Sequence, residues 1–149
     1  MLRDPREPRA KCTLTPLVGL SGVRFVSYRP ERRLQAGERL LLHCEGEELT
    51  DEDRGRDLLL IDCAWRRVSS LLRTVDGRLL WRRLPPLVSA YPRRSKIRPD
   101  PAAGLASVEA LFAASVLLGE PRMDFLAGYR WRKEFLLRNP GLAPERALP

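Results

Sequence analysis

Four apolar residues in a row, Leu58-Leu59-Leu60-Ile61, stand between Asp57 and Asp62. Such a run reads as a short strand buried on both faces. From Ala64 the spacing changes, and Trp65, Val68, Leu72 and Val75 recur at helical intervals. The chain is therefore expected to pass from buried strand to helix across Asp62-Cys63. A strand buried on both faces suits an α/β protein. In open α/β sheets ligands bind outside the carboxyl ends of the strands. That makes Asp62 and Trp65 candidates for ligand contact. The alternative is that Asp62 caps the helix that follows and Trp65 fills core.

Other segments extend this pattern. Gly22 to Tyr28 alternates as a strand does, and Leu40-Leu41-Leu42 reads as a second buried strand. Glu45 to Glu48 is acidic and turn-like, and Thr50 to Asp53 has the cap and acidic first turn of a short helix. Arg78 to Leu84 is expected to be extended, with a further strand fragment near Leu87-Val88. Tyr91 to Gly104 is a proline-rich loop. Leu105 to Leu118 is apolar nearly all round, so it predicts a buried helix. Met123 to Asn139 predicts another, with Phe125, Tyr129 and Leu136 on one face and Arg130, Arg132, Lys133 and Arg138 on the other. Met1 to Arg9 is charged and proline-containing, which predicts a loose arm. The expected division is a basic arm at 1–10, a small N-terminal β-rich subdomain at 11–56, a ligand-binding domain at 57–140 and a tail at 141–149.

The formal net charge is +8, and with lysine only at positions 11, 96 and 133 nearly all of the basic charge is arginine. Arginine forks grip phosphate and stack on bases, so nucleic acid is the first partner to consider and an anionic membrane the second. Arginines on ordinary surface helix positions would give the same total. Cys12, Cys44 and Cys63 are odd in number and lack CxxC spacing, and His43 is the only histidine. A disulfide framework, a zinc site and a Ser-His-Asp triad thus have little to draw on, and the pattern suits a reducing cytoplasm. No apolar run approaches a membrane span, and the first residues lack a signal-peptide core. GxGxxG and P-loop patterns are absent. Composition and spacing alone reach a basic α/β domain suited to RNA.

The order of short motifs goes further. Lys11-Cys12-Thr13, Leu60-Ile61-Asp62-Cys63-Ala64-Trp65, Leu84-Pro85-Pro86-Leu87-Val88-Ser89-Ala90, Leu105-Ala106-Ser107-Val108-Glu109-Ala110 and Tyr129-Arg130-Trp131-Arg132-Lys133-Glu134-Phe135 follow one another along the chain. The set resembles the ribosome-biogenesis rRNA aminocarboxypropyltransferase family, whose pattern is KCTG, IDCSW, LPYLVAANP, LSxVEA and FxWGxxF. The chain departs from it where Tyr91 to Arg98 replaces an asparagine-rich segment. That loop is similar to one in the related DTW-domain tRNA enzymes.

The resemblance implies a SPOUT-like parallel-sheet fold with a C-terminal trefoil knot around S-adenosylmethionine. It also implies transfer of the 3-amino-3-carboxypropyl group to a uridine-type base of rRNA, with tRNA as the second choice of substrate. Matched position by position, Thr13, Leu60, Trp65, Leu84 and Ser107 would contact S-adenosylmethionine, and Asp62 would be catalytic. Glu109, inside the buried helix, needs partners and is expected to hold an arginine. Arg93, Arg94, Lys96 and Arg98, with Arg130 and Lys133, would bind RNA. A metal is not expected, nor a membrane, and the chain is expected to be a monomer. An RNA methyltransferase on the same fold and a non-catalytic ribosome-assembly module are the alternatives.

Overall fold

The computed structural model describes residues 1–9, 12–92 and 104–143. Its strands are β1 (Leu2–Arg3), β2 (Val26–Ser27), β3 (Leu34–Glu48), β4 (Leu58–Leu59), β5 (Ile61–Asp62) and β6 (Val75–Arg83), and its α-helices are α1 (Val68–Leu72), α2 (Ser107–Leu117) and α3 (Arg132–Arg138). The strands form two three-stranded sheets, ordered β2-β1-β5 and β4-β3-β6, and every pairing is parallel. The apolar run serves both sheets. Leu58 and Leu59 pair with Leu40 and Leu41, while Ile61 and Asp62 pair with Leu2 and Arg3. Since only Leu60 separates β4 from β5, the carboxyl ends of both sheets lie toward the same side.

The expected parallel α/β character holds, but the SPOUT-like trefoil knot does not. A knot of that kind needs a C-terminal segment threaded through the sheet. Among the described residues no strand follows Arg83, and the later elements are α2, α3 and short 3₁₀ turns. The N-terminal β-rich subdomain is also not a separate unit. β1 and β2 share a sheet with β5, and β3 pairs with β4, so strands on both sides of position 56 bond to each other. The loose arm is corrected too. Leu2–Arg3 is the middle strand of its sheet, with Leu2 and Asp4 buried. Burial is tolerable for Asp4 because the Arg67 side chain pairs with it.

Three further segments differ from their sequence patterns. The helix expected from Ala64 is a 3₁₀ turn, Trp65–Arg67, followed by α1, and it gives way to β6 at Val75. Glu45 to Glu48 is not a turn but lies within β3, where both Leu42 and Glu47 pair with Arg82, leaving 43–46 as a bulge. The helix expected over Met123 to Asn139 splits into a 3₁₀ turn, Met123–Leu126, and α3. The split lies beside Gly128, where an added Cβ would come within 2.8 Å of Pro16.

The main core forms where α2 meets the sheet ends. Val108, Phe112, Ala113 and Ala114 of α2 are buried, and the Phe112 ring meets Phe135 of α3 edge-on at 6.5 Å. The longest ladder, β3 with β6, sets two glycines opposite each other, Gly37 and Gly77. Gly77 has φ of 137°, and a Cβ there would lie 2.3 Å from the Gly37 carbonyl oxygen. Backbone has to move to accept it. Gly77→Ala is expected to lose about 2 kcal/mol in urea unfolding, and a loss within error of zero would mean that the ladder is more yielding than this packing implies.

Candidate active site

β5 ends on Asp62, whose side chain is buried beside the carboxyl edge of the sheet. Its carboxylate has three donors. Oδ2 accepts from Arg3 Nε at 3.4 Å and from the Cys12 thiol at 3.2 Å, and Oδ1 accepts from the Ser107 hydroxyl at 3.3 Å. The reason lies in the register. Arg3 stands directly opposite Asp62 across the β1–β5 ladder, where facing side chains are close neighbours. The same guanidinium donates to Cys12 Sγ at 3.0 Å and to Thr15 Oγ1 at 3.1 Å. One residue on, Thr13 Oγ1 accepts from the backbone N–H of Val108 at 3.2 Å. Three remote segments therefore meet: Cys12-Thr13, Asp62, and the first turn of α2 at Ser107-Val108.

This geometry answers the capping alternative. The helical turn after β5 starts from Ala64 with no side-chain cap, and the Ala64 N–H is taken by Glu7 Oε1 at 3.1 Å. Asp62 is instead a junction of side chains. The neighbouring thiols are not poised as nucleophiles. Burial pushes the Cys12 thiol up. Burial, with Asp4, Asp62 and Glu7 adding negative charge nearby, pushes the Cys63 thiol up to about 12.

Trp65 lies three residues beyond Asp62 and is 45 % exposed, so it does not fill core. It belongs to an aromatic cluster at the carboxyl edge. The His43 ring lies edge-on to Trp65 at 6.3 Å and tilted against Trp81 at 4.5 Å. His43 takes part because it opens the β3 bulge. Leu60 is buried, Leu84 is half-buried, and both pack in or against the core around Phe112.

The segment from Leu84 to Tyr91 is fixed from two sides. Asn139 acts like a strand partner, accepting from the Val88 N–H at 2.8 Å and donating to the Val88 carbonyl at 2.8 Å. Fully buried Glu109 accepts from the Ser89 hydroxyl, the N–H groups of Ala90 and Ala106 and the Tyr129 hydroxyl, at 2.7 to 2.9 Å. The arginine expected beside Glu109 is absent from these partners, because neutral donors already fill both oxygens. Burial and this carboxylate both push the Tyr129 hydroxyl above its ordinary pKa, so it stays a donor.

No protein-family model matches the chain. A curated relative does: the 16S rRNA aminocarboxypropyltransferase of Vulcanisaeta distributa is 30 % identical over 162 aligned positions, which take in 98 % of this chain and 84 % of the relative. The chain belongs to the 16S rRNA aminocarboxypropyltransferase family. A solved aminocarboxypropyltransferase agrees in fold. The structure of the S-adenosylmethionine-dependent rRNA acp-transferase Tsr3 from the same organism matches with a TM-score of 0.70 at 28 % identity, over 94 % of this chain and 77 % of that one.

In this member of the family the candidate residues fall into groups. Thr13, Asp62 and Ser107 come together, Trp65 clusters with His43 and Trp81 three residues past Asp62, and Leu60 and Leu84 belong to the core around Phe112. Arg130 lies over the Trp131 ring at 5.7 Å, and Trp131 in turn contacts Tyr91. Lys133 is exposed on α3. Arg93, Arg94, Lys96 and Arg98 lie outside the described residues. Sequence reasoning missed Arg3, His43 and Trp81 as neighbours of the site. Trp81 carried a weak signal, a bulky residue near the middle of an extended segment. Arg3 carried none, since its partner is 59 positions away.

Proposed function

We propose that this chain transfers the 3-amino-3-carboxypropyl group of S-adenosylmethionine to a uridine-type base of small-subunit rRNA. The observation that carries this reading is a relative of that activity, 30 % identical over 98 % of the chain, together with the meeting of Cys12-Thr13, Asp62 and Ser107-Val108 at the carboxyl edge. The residues fit the donor by their chemistry. A sulfonium cation is drawn to a carboxylate and to an indole face, and Asp62 and Trp65 offer both. Adenine suits apolar contacts, which Leu60 and Leu84 would provide. Thr13 Oγ1 accepts from Val108 and among the described residues donates to no acceptor, which leaves its proton for the amino acid carboxylate of the donor. When bound, S-adenosylmethionine supplies a carbon made electrophilic by the neighbouring sulfonium.

The work left to this chain is orientation and one proton transfer. Asp62 would accept the proton from the ring nitrogen of the target base. Arg3, Cys12 and Ser107 would keep its carboxylate aimed. Trp65 would wall the pocket so that the propyl carbon, and not the methyl carbon, faces the base. Arg130, Lys133 and the loop residues Arg93, Arg94, Lys96 and Arg98 would contact RNA phosphates. We also assign the protein to the cytoplasm as a monomer acting on rRNA in preference to tRNA. In support, Cys12, Cys44 and Cys63 are all unpaired, as a reducing compartment keeps them. Among the described residues no helix is long and apolar enough to cross a membrane.

The test combines calorimetry with S-adenosylmethionine and mass spectrometry of nucleosides from rRNA incubated with the protein. Binding and an added aminocarboxypropyl group are expected, whereas an added methyl group would assign the methyltransferase chemistry. Leu84→Arg, which sets a charge against the adenine position, is expected to weaken binding by about a hundredfold or more. Normal binding by a folded Leu84→Arg protein would move the pocket elsewhere.

A further inference from the structure

A cleft of about 560 Å³ opens alongside β2, lined by Arg24 to Ser27 and by the segment that leads into β3. Four arginines line it, Arg24, Arg29, Arg32 and Arg33, all exposed. Their partners differ. Arg33 is neutralised by Asp76. Among the described residues Arg32 donates only to the Ser27 carbonyl, at 2.9 Å, and the side chains of Arg24 and Arg29 meet no carboxylate. A second cleft of about 400 Å³ adjoins the first and shares Arg24. Its other arginines do have acidic partners: Arg39 faces Asp57 at 4.0 Å, Arg56 faces Glu38 at 3.3 Å and Arg122 faces Asp124 at 2.7 Å. In a chain rich in arginine, then, most guanidiniums around these clefts are compensated, and the uncompensated ones gather in one concave place.

The position relates this place to Asp62. Ser27, at the carboxyl end of β2, pairs with Arg3, and Arg3 pairs with Asp62. Two strand spacings of about 4.8 Å put Ser27 roughly 10 Å from Asp62 along the same edge. At about 3.4 Å per stacked nucleotide that is roughly three nucleotides. Arg29 and Arg32 lie just past the end of β2, on this edge.

We propose that the cleft holding Arg24, Arg29 and Arg32 binds the phosphate backbone of the RNA strand that carries the target base, on the β2 side of Asp62. The choice of RNA as occupant rests on the function proposed above. Guanidiniums without carboxylates in a concave surface are what phosphate oxygens bind bidentately, and the ions they displace make the binding sensitive to salt. The strand would leave the active site across β1 and β2 and be held before it can turn away.

The test compares Arg24→Ala/Arg29→Ala with Arg54→Ala/Arg56→Ala. The control pair removes the same charge from exposed arginines that already face Asp51 and Glu38. Binding of a short fluorescent oligouridine is measured across a salt series, with melting and S-adenosylmethionine calorimetry on each protein. In the cleft variant the logarithmic salt slope is expected to shrink by about 1.4, two phosphates at about 0.7 each, and affinity near physiological salt to fall about tenfold. S-adenosylmethionine affinity and melting should match the unaltered protein. An unchanged slope, or an equal drop in the control pair, overturns the proposal. So does a cleft variant that keeps its RNA slope but loses binding to phosphatidylglycerol vesicles. If the unaltered protein transfers nothing to rRNA, the functional reading fails, while the slope comparison still decides whether this cleft holds RNA.

Discussion

Glu109→Ala is expected to lose about 4 kcal/mol of folding stability, a large share of the roughly 5–15 kcal/mol that holds a domain of this kind together. The carboxylate is fully buried and satisfies two backbone N–H groups and two hydroxyls. Truncation orphans all of these donors at once. The hydroxyls of Ser89 and Tyr129 can rotate, but the N–H groups of Ala90 and Ala106 are fixed by the backbone. Glu109→Gln makes the distinction measurable. Ala90 N–H points at Oε1 and Ala106 N–H at Oε2, so either orientation of the amide opposes an NH₂ group to one of them. That variant should lose about 2 kcal/mol and Tyr129→Phe about 1 kcal/mol. Urea unfolding of the three proteins checks the order. A loss below about 1 kcal/mol for Glu109→Ala would mean that water reaches the orphaned groups.

The second large effect is kinetic. Asp62→Asn is expected to slow transfer about 10²–10⁴-fold in a single turnover with S-adenosylmethionine bound, the usual contribution of a positioned base. It also leaves the Arg3 guanidinium without its charge partner in a buried place, which is expected to cost about 3 kcal/mol of stability. Because both effects are present, the rate has to be read on the folded fraction, with melting followed alongside. The separating readout is pH. As pH rises the target base sheds its own ring proton, and the deficit of Asp62→Asn should shrink if the lost group was a base. Near-normal transfer by folded Asp62→Asn protein would leave Asp62 a purely positioning residue.

The parts legible in the sequence were those whose signal is local. The buried run at Leu58 to Ile61 and the all-round apolar helix at Leu105 to Leu118 appear close to where periodicity put them, as β4, β5 and α2. The extended segment at Arg78 to Leu84 appears within β6. Local patterns failed where a distant partner decides the outcome. Met1 to Arg9 looks like a loose arm because its charges read as solvent-facing. Asp4 is nonetheless buried, and Arg67 makes that burial tolerable. Glu45 to Glu48 reads as a turn, but pairing with β6 keeps it in the sheet. The helix over Met123 to Asn139 breaks near Gly128, where the close approach of Pro16 has no trace in the helical spacing. For the candidate site, the place of Asp62 and Trp65 at a strand-to-helix turn was legible because such a turn is a local event. The junction of Arg3, Cys12 and Ser107 around Asp62 was not, since no local periodicity joins positions so far apart.

The central place of Leu2–Arg3 in its sheet has a consequence for biosynthesis. β1 is made well before its partner β5, since Asp62 follows Arg3 by 59 positions. At about 5–20 residues per second that gap lasts roughly 3–12 s. Through it, the side of β1 that β5 will cover is an unpaired edge of the kind that invites pairing with other chains. The closing contact comes later still, with Ser107, 45 positions beyond Asp62. A nascent chain therefore covers the β1 edge once β5 has emerged, but the junction around Asp62 stays incomplete until α2 follows.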